Sequence, residues 1–128
     1  MTTVFLLEDH QLARRGLKLL IETEGDLELV GESGHYANVV DDIASLKPDI
    51  LIADLSSSGR EFDVSRQIND RRLSTQVVML SMYADDQLIQ QAIDTGIAAF
   101  VLKEVGASEL GTAIRSVIAG KSYYCAKQ

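Results

Sequence analysis

Five short apolar segments alternate with longer amphipathic segments along the chain. In order, the apolar segments are Val4–Leu7, Leu29–Val30, Ile50–Ala53, Val77–Leu80 and Ala99–Leu102. Each is too short for a helix, and most are rich in Val, Ile, Leu or Phe, which predicts five β-strands. All but the second are apolar throughout instead of alternating. This pattern is typical of parallel strands that are covered by helices on both faces.

The segments between these strands have apolar residues at helical spacing. Examples are Leu12, Leu19 and Leu20 in the first, Val39, Val40 and Ile43 in the second, and Leu88, Ala92 and Ile93 in the fourth. Gly25, Gly96 and Gly120 each follow such a segment, as expected at helix ends. We therefore predict an α/β fold of three αβα layers, with five helices around a doubly wound, five-stranded parallel sheet. The flavodoxin-like strand order 2-1-3-4-5, one of the two common orders, is the one we expect.

Length and composition narrow the class of protein. A chain of 128 residues suits one domain, and its single cysteine, Cys125, cannot form an internal disulfide. The net charge of −7 disfavours direct binding to nucleic acid or to anionic membranes. The longest wholly apolar run, Ile97–Leu102, is far shorter than the ~20 residues that a membrane span needs. We therefore expect a cytoplasmic protein that does not associate with membranes.

Polar residues follow four of the five predicted strands. Glu8 and Asp9 follow the first strand, Asp54 the third, Ser81 the fourth and Lys103 the fifth. In doubly wound sheets, ligands bind beyond the carboxyl ends of the strands. Taken singly, an Asp or Ser here is most often a turn former or a helix cap, and a lysine is most often a solvated charge. Together they predict one site that contains acids, a hydroxyl and a base.

This set of side chains favours phosphoryl chemistry. Crowded carboxylates call for a small hard cation, and Mg²⁺ commonly takes one or two carboxylates, waters and a phosphate oxygen. Asp54 could then act as a nucleophile and form an aspartyl phosphate. Lys103 and Ser81 would contact the new phosphoryl oxygens.

Four segments of the chain resemble the receiver domain of bacterial two-component response regulators, and the similarity covers nearly the whole length. The segments are Val4–His10, Lys47–Leu55, Val78–Met82 and Gly96–Lys103. The resemblance implies that Asp54 accepts a phosphoryl group from a histidine kinase and that Ser81 and Lys103 contact it. It further implies Mg²⁺ at Asp9 and Asp54, with Glu8 beside them and the backbone carbonyl of Ser56 as another ligand. Phe100 occupies the place of the family's switch aromatic, which responds to the hydroxyl residue Ser81.

The segment Ala119–Tyr124 is similar to the end of receivers in LuxR/NarL-type transcription regulators. This implies a receiver domain over residues 1–120, followed at 121–128 by the start of a linker to an absent helix-turn-helix domain. It also implies transcription regulation as the output and a homodimer through the first and fifth helices. Such a domain is a phosphoacceptor switch that catalyses only its own phosphoryl transfer and slow dephosphorylation.

The loop after Asp54 departs from the family pattern. Members commonly have Met-Pro where this chain has Ser57 and Ser58, so the loop lacks the restraint of a proline. An alternative is therefore a receiver-like interaction module that works without phosphorylation. An aspartyl-phosphate hydrolase is a remote option because Ser56 stands where such enzymes need a second acid. A flavodoxin-like cofactor site is disfavoured because Glu8 and Asp9 would repel a phosphate.

Overall fold

The computed structural model describes residues 1–56, 58–83, 85–103 and 107–124, without the side chains of residues 107 and 108. The strands are β1 (Thr2–Leu7), β2 (Leu27–Ser33), β3 (Ile50–Asp54), β4 (Gln76–Ser81), β5 (Ala99–Leu102) and β6 (Tyr123–Tyr124). The helices are α1 (Gln11–Thr23), α2 (Val39–Leu46), α3 (Arg60–Asp70), α4 (Asp86–Thr95) and α5 (Ala107–Ile118). Strand and helix alternate along the described residues, as the hydrophobic pattern predicts.

The strands form one parallel sheet of order β2-β1-β3-β4-β5-β6. The predicted order 2-1-3-4-5 is confirmed, whereas the predicted number of five strands is wrong by one. The sixth strand is the pair Tyr123–Tyr124, which lies parallel to Ala99 and Phe100 of β5. Two residues are too short to show a strand pattern in the sequence, and only the pairing with β5 makes them extended. The sheet thus continues past residue 120, while residues 125–128, with Cys125, lie outside the described residues.

Two apolar layers pack on the two faces of the sheet. Successive residues of β3 alternate between them: Leu51 and Ala53 belong to one layer, Ile50 and Ile52 to the other. All five residues of β3 are buried, whereas edge strand β2 is largely half-buried or exposed. This difference explains why β2, unlike β3, contains polar residues along its length. Helices therefore cover both faces, and the central strands β1, β3 and β4 end in the interior of the protein.

Gly96 ends α4 in a left-handed conformation, with φ of +87°. Its N–H donates to the Ile93 carbonyl at 3.1 Å, and the next N–H, of Ile97, donates to the Ala92 carbonyl at 3.0 Å. This is the capping geometry that favours glycine, and it confirms Gly96 as a helix end. In the described part of the chain, none of the helices combines the length and the apolar character that a membrane span requires.

Candidate functional site

The register of the sheet brings the carboxyl ends of the central strands to one edge. Leu7 of β1 lies level with Ala53 of β3, and Ala53 lies level with Met79 of β4. The residues that follow, Glu8 and Asp54, therefore leave their strands side by side. Ser81 is the last residue of β4, and it pairs with Leu102, directly before Lys103. The edge predicted from the sequence thus exists, with a polar residue at the end of each of these four strands.

Asp54 is the last residue of β3, and only 8% of its surface is exposed. The Lys103 ammonium forms an ion pair with Asp54 Oδ2. The other carboxylate oxygen, Oδ1, is buried without a hydrogen-bond partner. Burial raises the pKa of Asp54 above its ordinary value, Lys103 opposes this rise, and the nearby charge of Glu61 adds to it. The acceptor candidate therefore has one paired oxygen and one free oxygen.

Glu8 and Asp9 differ in their surroundings although they are adjacent. Glu8 is 3% exposed, and its Oε1 accepts the His10 backbone N–H at 3.0 Å, while its Oε2 has no partner. Arg14 donates to the Glu8 backbone carbonyl at 2.9 Å, which fixes the chain at the end of β1. Asp9 is exposed. Of the two predicted metal-binding acids in this loop, Glu8 is thus the more enclosed.

The residues at this edge fit Mg²⁺ in their chemistry. Buried side-chain oxygens without a partner are few in the described part of the chain, and two of them are Glu8 Oε2 and Asp54 Oδ1. Unpaired buried carboxylate oxygens are costly unless a cation or a donor meets them. Across residues 1–56, 58–83, 85–103 and 107–124, no three His, Cys, Asp or Glu side chains form a ready-made metal cage. Mg²⁺ does not need one, because waters and carbonyls complete its six ligands.

Ser81 and Phe100 are both buried, but neither is shown in contact with Asp54. The Ser81 hydroxyl donates to the Tyr83 carbonyl at 2.7 Å and accepts the Tyr83 N–H at 3.0 Å. Phe100 is fully buried in the core and lies level with Met79 and Tyr124. The structure therefore brings Lys103 to Asp54, while the hydroxyl of Ser81 is engaged by its own loop.

The loop after Asp54 is a turn that is closed by backbone hydrogen bonds. The Leu55 N–H donates to the Leu80 carbonyl at 2.7 Å, and the Gly59 N–H donates to the Ser56 carbonyl at 3.2 Å. Gly59 has φ of +71°, a left-handed conformation that glycine adopts without strain. A carbonyl has two lone pairs, so the Ser56 carbonyl keeps one for a metal. Ser57 lies outside the described residues.

Sequence reasoning missed two residues beside this loop, Glu61 and Tyr36. Glu61, in the first turn of α3, is 1% exposed. Its Oε1 accepts the backbone N–H and the hydroxyl of Ser56, both at 3.1 Å, and its Oε2 accepts the Tyr36 hydroxyl. Burial, followed by the hydrogen bond to Glu61, raises the pKa of Tyr36 to about 12. The Arg60 guanidinium lies 4.6 Å from the centre of the Tyr36 ring.

Comparisons with known proteins agree on one family. The family model of the response regulator receiver domain matches residues 4–115. The chain is 31% identical over 123 residues to the DNA-binding transcriptional activator DevR/DosR of Mycobacterium tuberculosis, covering 95% of this chain and 57% of the relative. It is 28% identical over 122 residues to the response regulator protein VraR of Staphylococcus saprophyticus, covering 94% and 58%. The chain thus spans less than two-thirds of the length of these curated relatives.

Solved structures show the same fold. The signal receiver domain of NarL from Mycobacterium tuberculosis superposes with a TM-score of 0.86 at 26% identity, covering 94% of this chain and 98% of that one. A LuxR-family two-component response regulator from Aurantimonas sp. SI85-9A1 gives a TM-score of 0.88 at 23% identity, covering 96% and 89%. With the family match over most of the chain, these similarities lead to one conclusion: the chain belongs to the response regulator receiver domain family.

Proposed function

We propose that the chain is a phosphorylation-controlled switch in which Asp54 accepts a phosphoryl group from a histidine kinase. The observation that carries this proposal is the asymmetry of the buried Asp54 carboxylate, whose Oδ2 pairs with Lys103 while its Oδ1 has no partner. A nucleophile needs a free oxygen lone pair and a fixed orientation. Lys103 provides the orientation, and Oδ1 provides the lone pair.

The proposed reaction is an in-line displacement at phosphorus. Asp54 Oδ1 forms the new O–P bond while the P–N bond to the kinase's phosphohistidine breaks, and the released imidazole takes up a proton from water. Lys103, already within contact of the carboxylate, neutralises charge on the transferred phosphoryl group. The Ser81 hydroxyl reaches that group only after it exchanges the Tyr83 carbonyl for a phosphoryl oxygen. That exchange would carry the signal into the Ser81 loop and towards Phe100.

Asp9, Asp54, Glu8 and the Ser56 carbonyl are the residues that would hold Mg²⁺. When bound, the ion would neutralise phosphoryl charge that these acids otherwise repel. Glu8 Oε2, which is buried and unpartnered, supports this assignment. An open groove of about 530 Å³, lined by Ser56, Ser81 and Met82 among others, lies beside the loop that follows Asp54.

The direct test of the proposed function is intact-mass measurement after incubation with acetyl phosphate and Mg²⁺. We expect a gain of about 80 Da, one phosphoryl group, in the wild type and no gain in Asp54→Asn. Asp63→Asn is the control, because Asp63 is an exposed acid of α3 that pairs with Arg66. An unmodified wild type would instead favour the phosphorylation-independent interaction module.

The output of the switch is proposed to be dimerisation and, in a longer protein, transcription regulation. The names of the relatives that the chain matches include a DNA-binding transcriptional activator, which supports the second part. For the first part, Leu12 and Leu19 of α1 are 75% and 64% exposed. An apolar groove of about 450 Å³ between α1 and α5 is lined by Leu17, Leu20 and Leu110 among others. An exposed apolar surface of this kind favours association with a second copy of the chain.

A further inference from the structure

Glu61 is a buried carboxylate with an unusual set of partners. Its Oε1 accepts two hydrogen bonds from Ser56, and its Oε2 accepts one from Tyr36. A buried charge is tolerated when several donors meet it, and here all three donors are neutral. The Glu61 side chain therefore joins two separate loops, because it accepts hydrogen bonds from Ser56 in one and from Tyr36 in the other.

The donors form a directed chain of hydrogen bonds. When the Ser56 hydroxyl donates to Glu61, its oxygen accepts from the Ser58 hydroxyl, which lies 2.8 Å away. The Ser58 oxygen in turn lies 3.4 Å from the Arg60 backbone N–H. A serine does not restrict its own backbone as a proline does. Here the hydrogen bonds from Ser56 to Glu61 supply that restraint.

Tyr36 connects this chain to the segment between β2 and α2. Its hydroxyl donates to Glu61, and its ring lies under the Arg60 guanidinium. Tyr36 also packs, half-buried, against the core layer that contains Phe62. The acceptor loop is thus attached to a second part of the molecule that is itself anchored in the core.

We infer that Glu61, supported by Tyr36, is a positioning residue that holds Ser56 so that its backbone carbonyl can serve the metal required for phosphorylation of Asp54. The inference rests on the proposed function and adds a residue to it. Glu61 holds Ser56 by its backbone N–H and its hydroxyl, and the Gly59 N–H holds the Ser56 carbonyl at 3.2 Å, so both sides of the residue are restrained. Glu61 would then restrain Ser56 in a loop that has no proline at position 58.

The test compares Mg²⁺ binding in Glu61 variants, measured by the amide chemical shifts of Ser56 and Gly59 during titration with MgCl₂. In Glu61→Ala, we expect the dissociation constant for Mg²⁺ to rise about tenfold, as is typical when a group supporting a metal ligand is lost. We also expect faster hydrogen exchange at the Ser56 amide. The rate of phosphorylation by acetyl phosphate should fall at low Mg²⁺ and recover at saturating Mg²⁺.

Glu61→Gln separates positioning from charge. A glutamine can still accept both bonds from Ser56 and can donate to the Tyr36 oxygen, so positioning predicts near wild-type Mg²⁺ binding. If the charge alone mattered, Glu61→Gln would bind Mg²⁺ as weakly as Glu61→Ala, and the inference would be wrong. Asp63→Asn, on the exposed side of the same helix, should behave as wild type.

Tyr36→Phe keeps the test informative even if Glu61→Ala does not fold. This variant removes one oxygen at a half-buried position, and we expect a folded protein whose dissociation constant for Mg²⁺ rises measurably but less than in Glu61→Ala. Wild-type Mg²⁺ affinity in a folded Glu61→Ala, or in Tyr36→Phe where Glu61→Ala does not fold, overturns the inference but leaves phosphorylation of Asp54 standing. A wild type that binds Mg²⁺ but is not phosphorylated refutes the proposed function alone, and one that does not bind Mg²⁺ refutes both.

Discussion

At the residue scale, Asp54 combines a proposed chemical role with a cost in stability. Its carboxylate is almost fully buried, one oxygen has no partner, and its pKa is raised mainly by burial. The Lys103 ion pair offsets only part of this cost, because Lys103 itself is partly solvated. Such tension between charge and burial is common at functional sites.

We predict that Asp54→Asn stabilises the protein at neutral pH, with the free energy of unfolding higher by about 1 kcal/mol, the scale of an unpaired buried acceptor. Since the folded-state pKa of Asp54 is raised, the wild type gains stability as the pH falls through that pKa. The advantage of Asn should therefore shrink in acid. Urea unfolding followed by circular dichroism, without Mg²⁺, measures the difference. An Asp54→Asn variant less stable than the wild type at neutral pH would contradict this picture.

The site residues differ in how far the sequence could predict them. Asp54, Glu8, Ser81 and Lys103 follow apolar strands, so strand ends alone predicted their common edge. The partner of the Ser81 hydroxyl could not be predicted, because it depends on the path of the Tyr83 loop. Phosphorylation and metal roles of these residues stay predictions.

Glu61 and Tyr36 were missed because 25 residues separate them and one lies outside any helix or strand. A signal was nevertheless present. In α3 the buried positions 61, 64, 65 and 68 follow helical spacing, so Glu61 starts the face that the helix presents to the core. An acid at such a position needs several hydrogen-bond donors nearby.

At the element scale, strands and helices were predictable wherever the apolar pattern was long enough. The bounds of β3 and β5 agree with their apolar segments to within one residue. The strand β6 was not predictable from the sequence, because its extended form depends on pairing with β5. It also depends on the Tyr124 hydroxyl, which donates to the Ile97 carbonyl at 2.7 Å. Pairing between strands that are distant in sequence cannot be predicted from the periodicity of a two-residue segment.

Two glycines in helical segments should respond in opposite directions to alanine. Gly96 has φ of +87°, and an added Cβ would lie 2.9 Å from Asn69 Nδ2, so Gly96→Ala should lower the free energy of unfolding by about 1 kcal/mol or more. Gly16 is exposed inside α1 with nothing within 4 Å, so Gly16→Ala should raise it by about 0.5–1 kcal/mol. Urea titrations of both variants at low protein concentration give the comparison. Equal signs would show that the helix ends are assigned wrongly.

At the scale of the whole molecule, the protein presents an apolar surface on α1 beside an otherwise acidic exterior. The net charge of −7 opposes association of two copies, and the exposed leucines Leu12 and Leu19 favour it. A phosphorylation-dependent change in this balance would suffice to control a dimer.

We predict that the wild type dimerises with beryllofluoride and Mg²⁺ and that Leu12→Asp prevents this, because it places a charge in the proposed interface. Ile93→Asp is the matched control, since Ile93 is an exposed apolar residue of α4 and the change adds the same charge. Sedimentation velocity distinguishes monomer from dimer. A dimer that survives Leu12→Asp but not Ile93→Asp would move the interface from α1 to α4.

Locating the phosphoryl group on the chain tests most directly whether Asp54 is the acceptor. After reaction with acetyl phosphate and Mg²⁺, borohydride converts an aspartyl phosphate to homoserine, which peptide mass spectrometry can place at a single residue. We expect homoserine at position 54 only, and none when a chelator removes Mg²⁺ before the reaction. Modification at Asp9 or another acid, or labelling of Asp54 that is indifferent to the chelator, would contradict the site described here.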